Sequence, residues 1–135
     1  MTVKVVRDQS LPMRHVLHVR NHIVSVDGTL PEGGSDAGPN PHDLYDAAIS
    51  ACKALTVVWY AKRKNIPVED VQVTTERDDS EERKGVYRLT ATLQLSGPLT
   101  GEQREELLAV AQKCPVHKLM TAVTTEITTL LGRSE

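Results

Sequence analysis

Asn40-Pro41-His42-Asp43-Leu44-Tyr45-Asp46-Ala47-Ala48-Ile49-Ser50-Ala51-Cys52-Lys53-Ala54-Leu55-Thr56-Val57-Val58-Trp59-Tyr60-Ala61-Lys62-Arg63-Lys64-Asn65-Ile66-Pro67 is the stretch on which the fold turns. Asn40 suits a helix N-cap, Pro41 suits the first helical position, and Asp43 and Asp46 fall in the first two turns. Lys62, Arg63 and Lys64 place cations at the negative end of the dipole, and Asn65 and Pro67 stop the helix. The spacing predicts a helix over 41–64, roughly 36 Å long. Its middle is apolar nearly all round, so it belongs inside a core. A helix of that length is awkward for 135 residues to wrap alone, which points to the centre of a dimer.

Outward on the N-terminal side lies Gly28–Asn40, a loop dense in Gly and Pro. It lacks the Gly-Lys-Ser/Thr that a phosphate cradle needs. Before it, Val3–Val6, Arg14–Arg20 and Ile23–Val26 read as two or three antiparallel strands spanning 1–27. On the C-terminal side, Val71, Val73 and Thr75 alternate with polar neighbours. Tyr87, Leu89, Ala91, Leu93 and Leu95 give the clearest period-two pattern in the chain. Asp78–Lys84 between them is a charged connection. Thr100 with Gln103 forms a capping box for a helix over Gly101–Lys113, and Pro115 opens a short helix to about Met120. Val123–Leu131 reads as a last strand, so 68–131 is ββααβ. The whole is one α+β domain over 1–135, in the order ββ(β)–α–ββ–α–α–β, with the long helix packed on antiparallel sheets.

Composition narrows the function classes. The 16 Lys+Arg and 18 Asp+Glu nearly cancel, and no basic run exists, which argues against a nucleic-acid partner. The longest apolar stretch, Ala47–Ala61, is interrupted by Ser50, Lys53 and Thr56 and falls short of the ~20 residues of a bilayer span. No secretory h-region is visible at the N-terminus, so a cytoplasmic location is expected. With three Tyr, one Trp and no Phe, the core is aliphatic and thin, a further reason to expect a homodimer.

Two cysteines in such a chain are either buried and inert or a redox pair, since cytosolic thiols are kept reduced. Apolar neighbours surround Cys52 on its helix and disfavour a thiolate unless a cation arrives from elsewhere in the fold. Cys114, just before Pro115, sits where a short helix begins, which locally makes it the easier thiol to activate. They lie 62 residues apart, and nothing in the spacing tells whether their Cα atoms reach the ~4.4–6.8 Å of a disulfide. His15 and His18 fall on opposite strand faces, and no spacing of histidines and cysteines suggests a metal site or any other cofactor.

Two stretches then stand out together. Gly33-Gly34 … Gly38-Pro39-Asn40-Pro41-His42-Asp43-Leu44 … Ala47-Ala48-Ile49-Ser50-Ala51-Cys52 resembles the first cysteine motif of the OsmC/Ohr family, the osmotically inducible and organic hydroperoxide resistance proteins. Lys113-Cys114-Pro115-Val116-His117-Lys118 resembles the second. Tyr60–Lys64 and Leu99–Gln103 add to the likeness, which covers nearly the whole chain. The resemblance implies an intertwined homodimer with two long helices clasped by two sheets. It implies a thiol-dependent peroxidase in oxidative-stress defence, with Cys52 attacking the peroxide and Cys114 resolving the sulfenic acid to a disulfide. A dithiol such as a lipoyl group then restores the thiols.

The resemblance also implies an N-terminal arginine and a carboxylate at the helix start beside the first cysteine. Arg7, Arg14 and Arg20 are the choices, with Arg14 favoured because it opens the second strand after a Pro-containing loop. Where the family has Glu, this chain has His42 followed by Asp43. On a continuous helix Asp43 is nine residues before Cys52, about 180° round and ~13 Å along the axis. A charge serving the helix dipole accounts for Asp43 better than a catalytic role does, and a protonated His42 is the alternative source of a cation. The lost Glu also leaves open a small-ligand-binding or stress protein on the same scaffold, without catalysis.

Overall fold

The computed structural model describes residues 1–133. Three short strands, β1 (Val3–Arg7), β2 (His15–Val19) and β3 (His22–Val26), form an antiparallel meander in the order β1-β2-β3. Arg20 and Asn21 make the turn between β2 and β3, with Arg20 at φ 52°, and Val19 pairs with His22 across it.

The Gly/Pro loop that follows is an ordered structure. Asp27 is buried and its carboxylate accepts the backbone N–H groups of Gly28, Ser35 and Ala37 at 2.8–3.1 Å. Burial opposes its charge, but these donors, with Ala37 foremost and Arg14 nearby, hold its pKa below the ordinary carboxylate value. Gly34 and Gly38 have no room for a side chain: a Cβ would lie 2.1 Å from the Gly28 carbonyl oxygen and 2.4 Å from that of Ser25. The glycines are thus required by close backbone approach.

Helix α1 runs unbroken from Pro41 to Lys64. Asn40 and Asp43 cap it reciprocally: the Asp43 N–H donates to Asn40 Oδ1 at 2.9 Å, and the Asn40 N–H donates to Asp43 Oδ2 at 3.0 Å. Asn65 stops the helix in the left-handed region at φ 54°.

Strands β4 (Asp70–Asp78) and β5 (Arg88–Ser96) pair antiparallel, joined through a short 3₁₀ turn at Glu82–Lys84. Val71 pairs with Leu95 and Val73 with Leu93, so the apolar halves of both alternating patterns share one face. Helix α2 (Gly101–Gln112) begins with the expected capping box between Thr100 and Gln103. Helix α3 (Pro115–Thr121) follows directly, with Cys114 as its N-cap.

Val57, Ala61, Ile66, Leu107 and Ala111 form the core, flanked by Tyr60, Val68, Val71, Leu93, Leu95 and Leu99. This gathers α1, α2 and the β4–β5 hairpin. The chain divides into two compact units, 1–48 and 49 onward, and the boundary falls inside α1.

One expectation needs correction. Val123–Leu131 forms no strand; among the described residues the chain past α3 has no ladder partner and is exposed, and alternating residues alone do not make a strand without an edge to pair with. Within the single chain, one side of α1 is buried and the other is exposed. Ile49, Lys53, Val57 and Ala61 are buried, whereas Leu55, Val58 and Trp59 are 50–69 % exposed. No described helix is long and apolar enough to cross a membrane.

Candidate functional site

The buried stripe of α1 explains the site. Ile49, Lys53, Val57 and Ala61 recur every four residues and so lie along one side of the helix. Three of them fill the interior as apolar residues do. The fourth is a lysine 9 % exposed, and a buried ammonium needs acceptors. Lys53 Nζ donates to the Ala111 carbonyl oxygen at 2.9 Å and lies 3.0 Å from His117 Nδ1. An ammonium offers only donors, so the imidazole nitrogen accepts. The lysine thereby fastens the end of α2 and the start of α3 to the middle of α1.

Cys114 sits between those two anchors, three residues after Ala111 and three before His117. It is fully buried. Its backbone N–H donates to the same Ala111 oxygen at 3.4 Å, and its carbonyl accepts the Lys118 N–H at 3.2 Å. The residue beside Lys53 in the chain, Cys52, is half-buried, and its sulfur accepts the Val116 N–H at 3.4 Å. Thr56 Oγ1 is 3.9 Å from the same sulfur, one helical turn on. Both thiols are free, and the Val116 N–H that reaches the Cys52 sulfur lies two residues after Cys114, which makes the two cysteines neighbours. Burial pushes the Cys114 thiol pKa up; the His117 N–H and the Lys53 charge oppose that, and the neighbouring Cys52 adds to it. The local advantage that Cys114 has in sequence is therefore overridden by burial. Of the two cysteines, Cys52 is the more exposed.

Arg14, His42 and Asp43 belong to the N-terminal unit. Arg14 forms an ion pair with Asp8, and its Nε donates to Ser25 Oγ at 2.8 Å. Hydrogen bonds from Ser10 and then from Arg14 hold the Asp8 carboxyl pKa down at about 2. Arg7 donates to the Pro12 carbonyl oxygen at 3.2 Å, and Arg20 lies 4.0 Å from the Met1 sulfur. Asp43 serves the cap of α1. Near His42 the carboxylate is Glu32, which accepts the Thr29 N–H and hydroxyl at 2.8 and 2.7 Å and the Asn40 side chain at 3.1 Å. These bonds, Thr29 foremost, and the charge of His42 bring the Glu32 pKa to about 2. Among the described residues no cluster of three His, Cys, Asp or Glu side chains has the arrangement to hold a metal ion.

Lys53 is the site residue that sequence reading passes over. It looks like an interruption of an apolar run. Its four-residue spacing from Ile49 and Val57 is the available signal, because it assigns the lysine to the buried stripe.

Residues 33–129 match the family model of the OsmC-like proteins, nearly three quarters of the chain, with both cysteines inside the match. The chain belongs to the OsmC-like protein family. Solved structures of other OsmC-like proteins share its fold over about nine tenths of its length. An OsmC-like protein from Mycoplasma pneumoniae is 15 % identical, with 90 % of this chain and 87 % of that one covered at a TM-score of 0.73. The organic hydroperoxide resistance protein OsmC from Legionella pneumophila is 21 % identical, covering 90 % and 88 % at 0.66. The organic hydroperoxide resistance protein OhrB of Bacillus subtilis is 20 % identical, covering 90 % of each at 0.59. At such identities the likeness carries the α+β fold of OsmC-like proteins and nothing finer. No curated protein sequence is similar to this chain.

Proposed function

We propose that this OsmC-like protein reduces organic hydroperoxides with Cys52 as the attacking sulfur and Cys114 as the resolving one. The observation that carries this reading is that two free cysteines 62 residues apart are brought next to each other, the Cys52 sulfur meeting the Val116 N–H at 3.4 Å, with Cys52 half-buried and Cys114 fully buried. The Cys52 thiolate takes the distal oxygen of the hydroperoxide; the O–O bond breaks and the alkoxide leaves as the alcohol after taking a proton. Cys52 is then a sulfenic acid. The Cys114 sulfur displaces its hydroxyl, forming the disulfide and releasing water. A dithiol of the lipoyl type returns both sulfurs to thiols by exchange. That cycle needs a reducing compartment, which fits the cytoplasm.

The working form in this proposal is a homodimer. Leu55, Val58 and Trp59 are an apolar face too large for a monomer to leave in water, and a second copy of the chain is the occupant we assign. His42 and Asp43, with Arg14, are given no step in this chemistry.

Reduced protein mixed with one equivalent of cumene hydroperoxide is expected to lose two thiols and yield a Cys52–Cys114 disulfide peptide on mapping. Cys114→Ser is expected to stop at a sulfenic acid that dimedone traps, and Cys52→Ser to leave the peroxide at its uncatalysed rate. Unchanged thiol counts across several alkyl hydroperoxides would remove the peroxidase and leave a binding protein on the OsmC-like scaffold.

A further inference from the structure

We propose that Lys53 is a positioning residue for the second sulfur: its buried ammonium holds the α2–α3 turn through Ala111 and His117 and sets how readily Cys114 becomes a thiolate for the resolving step. The mechanism in terms of the two sulfurs alone assigns this lysine nothing, yet burying it requires a reason.

Three observations support the assignment. First, Lys53 makes no contact that a side chain serving α1 alone would need; both of its partners lie beyond residue 110, at 2.9 and 3.0 Å. Second, those partners bracket Cys114 symmetrically in the chain, and the Ala111 oxygen is shared between Lys53 Nζ and the Cys114 N–H. Moving the lysine therefore moves the cysteine. Third, Lys53 follows Cys52, so one stretch of α1 carries the first sulfur and the device that presents the second. The charge also acts on Cys114 in the favourable direction, against a larger effect of burial.

In the resolving step the Cys114 S–H bond breaks, the S–S bond forms and the S–O bond of the Cys52 sulfenic acid breaks. The hydroxyl leaves with the Cys114 proton as water. The Cys114 lone pair becomes the S–S bond, so the Cys52 sulfur is reduced and the Cys114 sulfur oxidised by one formal electron each, and no outside oxidant is needed. A cation held near Cys114 favours the thiolate that begins this exchange, and it stays protonated throughout.

The inference rests on the peroxidase reading for its purpose but not for its test. In a Cys52→Ser background, ultraviolet absorbance of the thiolate follows Cys114 alone; the titratable groups around it are Lys53 from α1 and His117 from α3. Lys53→Met keeps the aliphatic stem and removes the charge. Its Cys114 midpoint is expected to rise by about one pH unit, a tenfold loss of thiolate at a fixed pH below it. Lys53→Arg, which keeps the cation, is expected to restore most of the shift. Where Lys53→Met fails to fold, ¹⁵N-lysine labelling of the Cys52→Ser protein gives the same answer. The Lys53 Nζ resonance is expected to move with the Cys114 midpoint.

A Cys114 midpoint unchanged in Lys53→Met, or a Lys53 resonance indifferent to Cys114 ionisation, overturns the inference. In the protein with both cysteines, Lys53→Met is expected to slow disulfide formation more than sulfenic acid formation, so that dimedone captures more of the intermediate. If no hydroperoxide generates a sulfenic acid at all, the peroxidase reading falls, and the titration still decides what Lys53 does.

Discussion

The two compact units hold their charged and ionisable groups in opposite ways. In residues 1–48, carboxylates are met by many short-range donors: Asp27 by three backbone N–H groups, Glu32 by Thr29 and Asn40, and Asp8 by Ser10 and Arg14. Their pKa values all move down, because hydrogen bonding outweighs desolvation. From residue 49 onward the interior is aliphatic, a single lysine is admitted with two acceptors, and the Cys114 thiol moves up because desolvation outweighs everything set against it. One region is held in shape by polar contacts along a loop; the other is held by apolar contacts among helices and a hairpin. A glycine-rich loop has few side chains to bury, so hydrogen bonds are what remain to order it.

The most severe way to challenge that contrast is to open the aliphatic core. Leu107 is fully buried, and Leu107→Ala is expected to cost about 3 kcal/mol by urea denaturation. Amides of Gly28, Ser35 and Ala37 are expected to keep more of their exchange protection in this variant than those of α2. Equal loss in both regions would erase the distinction between them.

Acid and base are expected to act on different regions. Groups with depressed pKa contribute stability that is present above their unfolded values near ~4 and is lost as the pH falls toward about 2, where Asp8 and Glu32 titrate in the folded protein. Protection of the loop amides is therefore expected to fade across that acid window. A thiol with a raised pKa contributes the opposite: stability present below the free-thiol value of ~8.5 and lost as the pH rises through the folded one. Cys114→Ala is expected to flatten the alkaline limb of a stability–pH profile and leave the acid limb alone. An alkaline limb that persists in this variant places its origin elsewhere.

The smallest effect tests whether polar contacts count for less in the C-terminal unit. Thr100→Ala removes one side of the exposed capping box of α2 and is expected to cost about 1 kcal/mol in thermal or urea unfolding. A loss approaching that of Leu107→Ala would show that helix capping, rather than burial, limits this region.

Local rules made much of the fold readable. The cap and stop residues of α1, the alternation in β5 and the Thr100–Gln103 box are interactions within a few residues of each other, and each appears where its pattern occurs. The candidate site was half readable. Cys52 and Cys114 were marked by motif, and Asp43 was already better explained by the helix start it caps. What failed was the strand expected over Val123–Leu131, since a strand is a pairing between segments and its sequence names no partner.

By itself, then, the sequence determined where the helices start and stop, which residues alternate across the hairpin, and which cysteines carry the family motifs. Only the tertiary structure decided that Cys114 is the sealed thiol and Cys52 the accessible one, that a lysine lying in an apolar run is a buried fastener, and that Arg14 is engaged by Asp8 and Ser25. The reason is physical: capping and periodicity depend on neighbours along the chain, whereas desolvation and charge pairing depend on what folding brings close from far away.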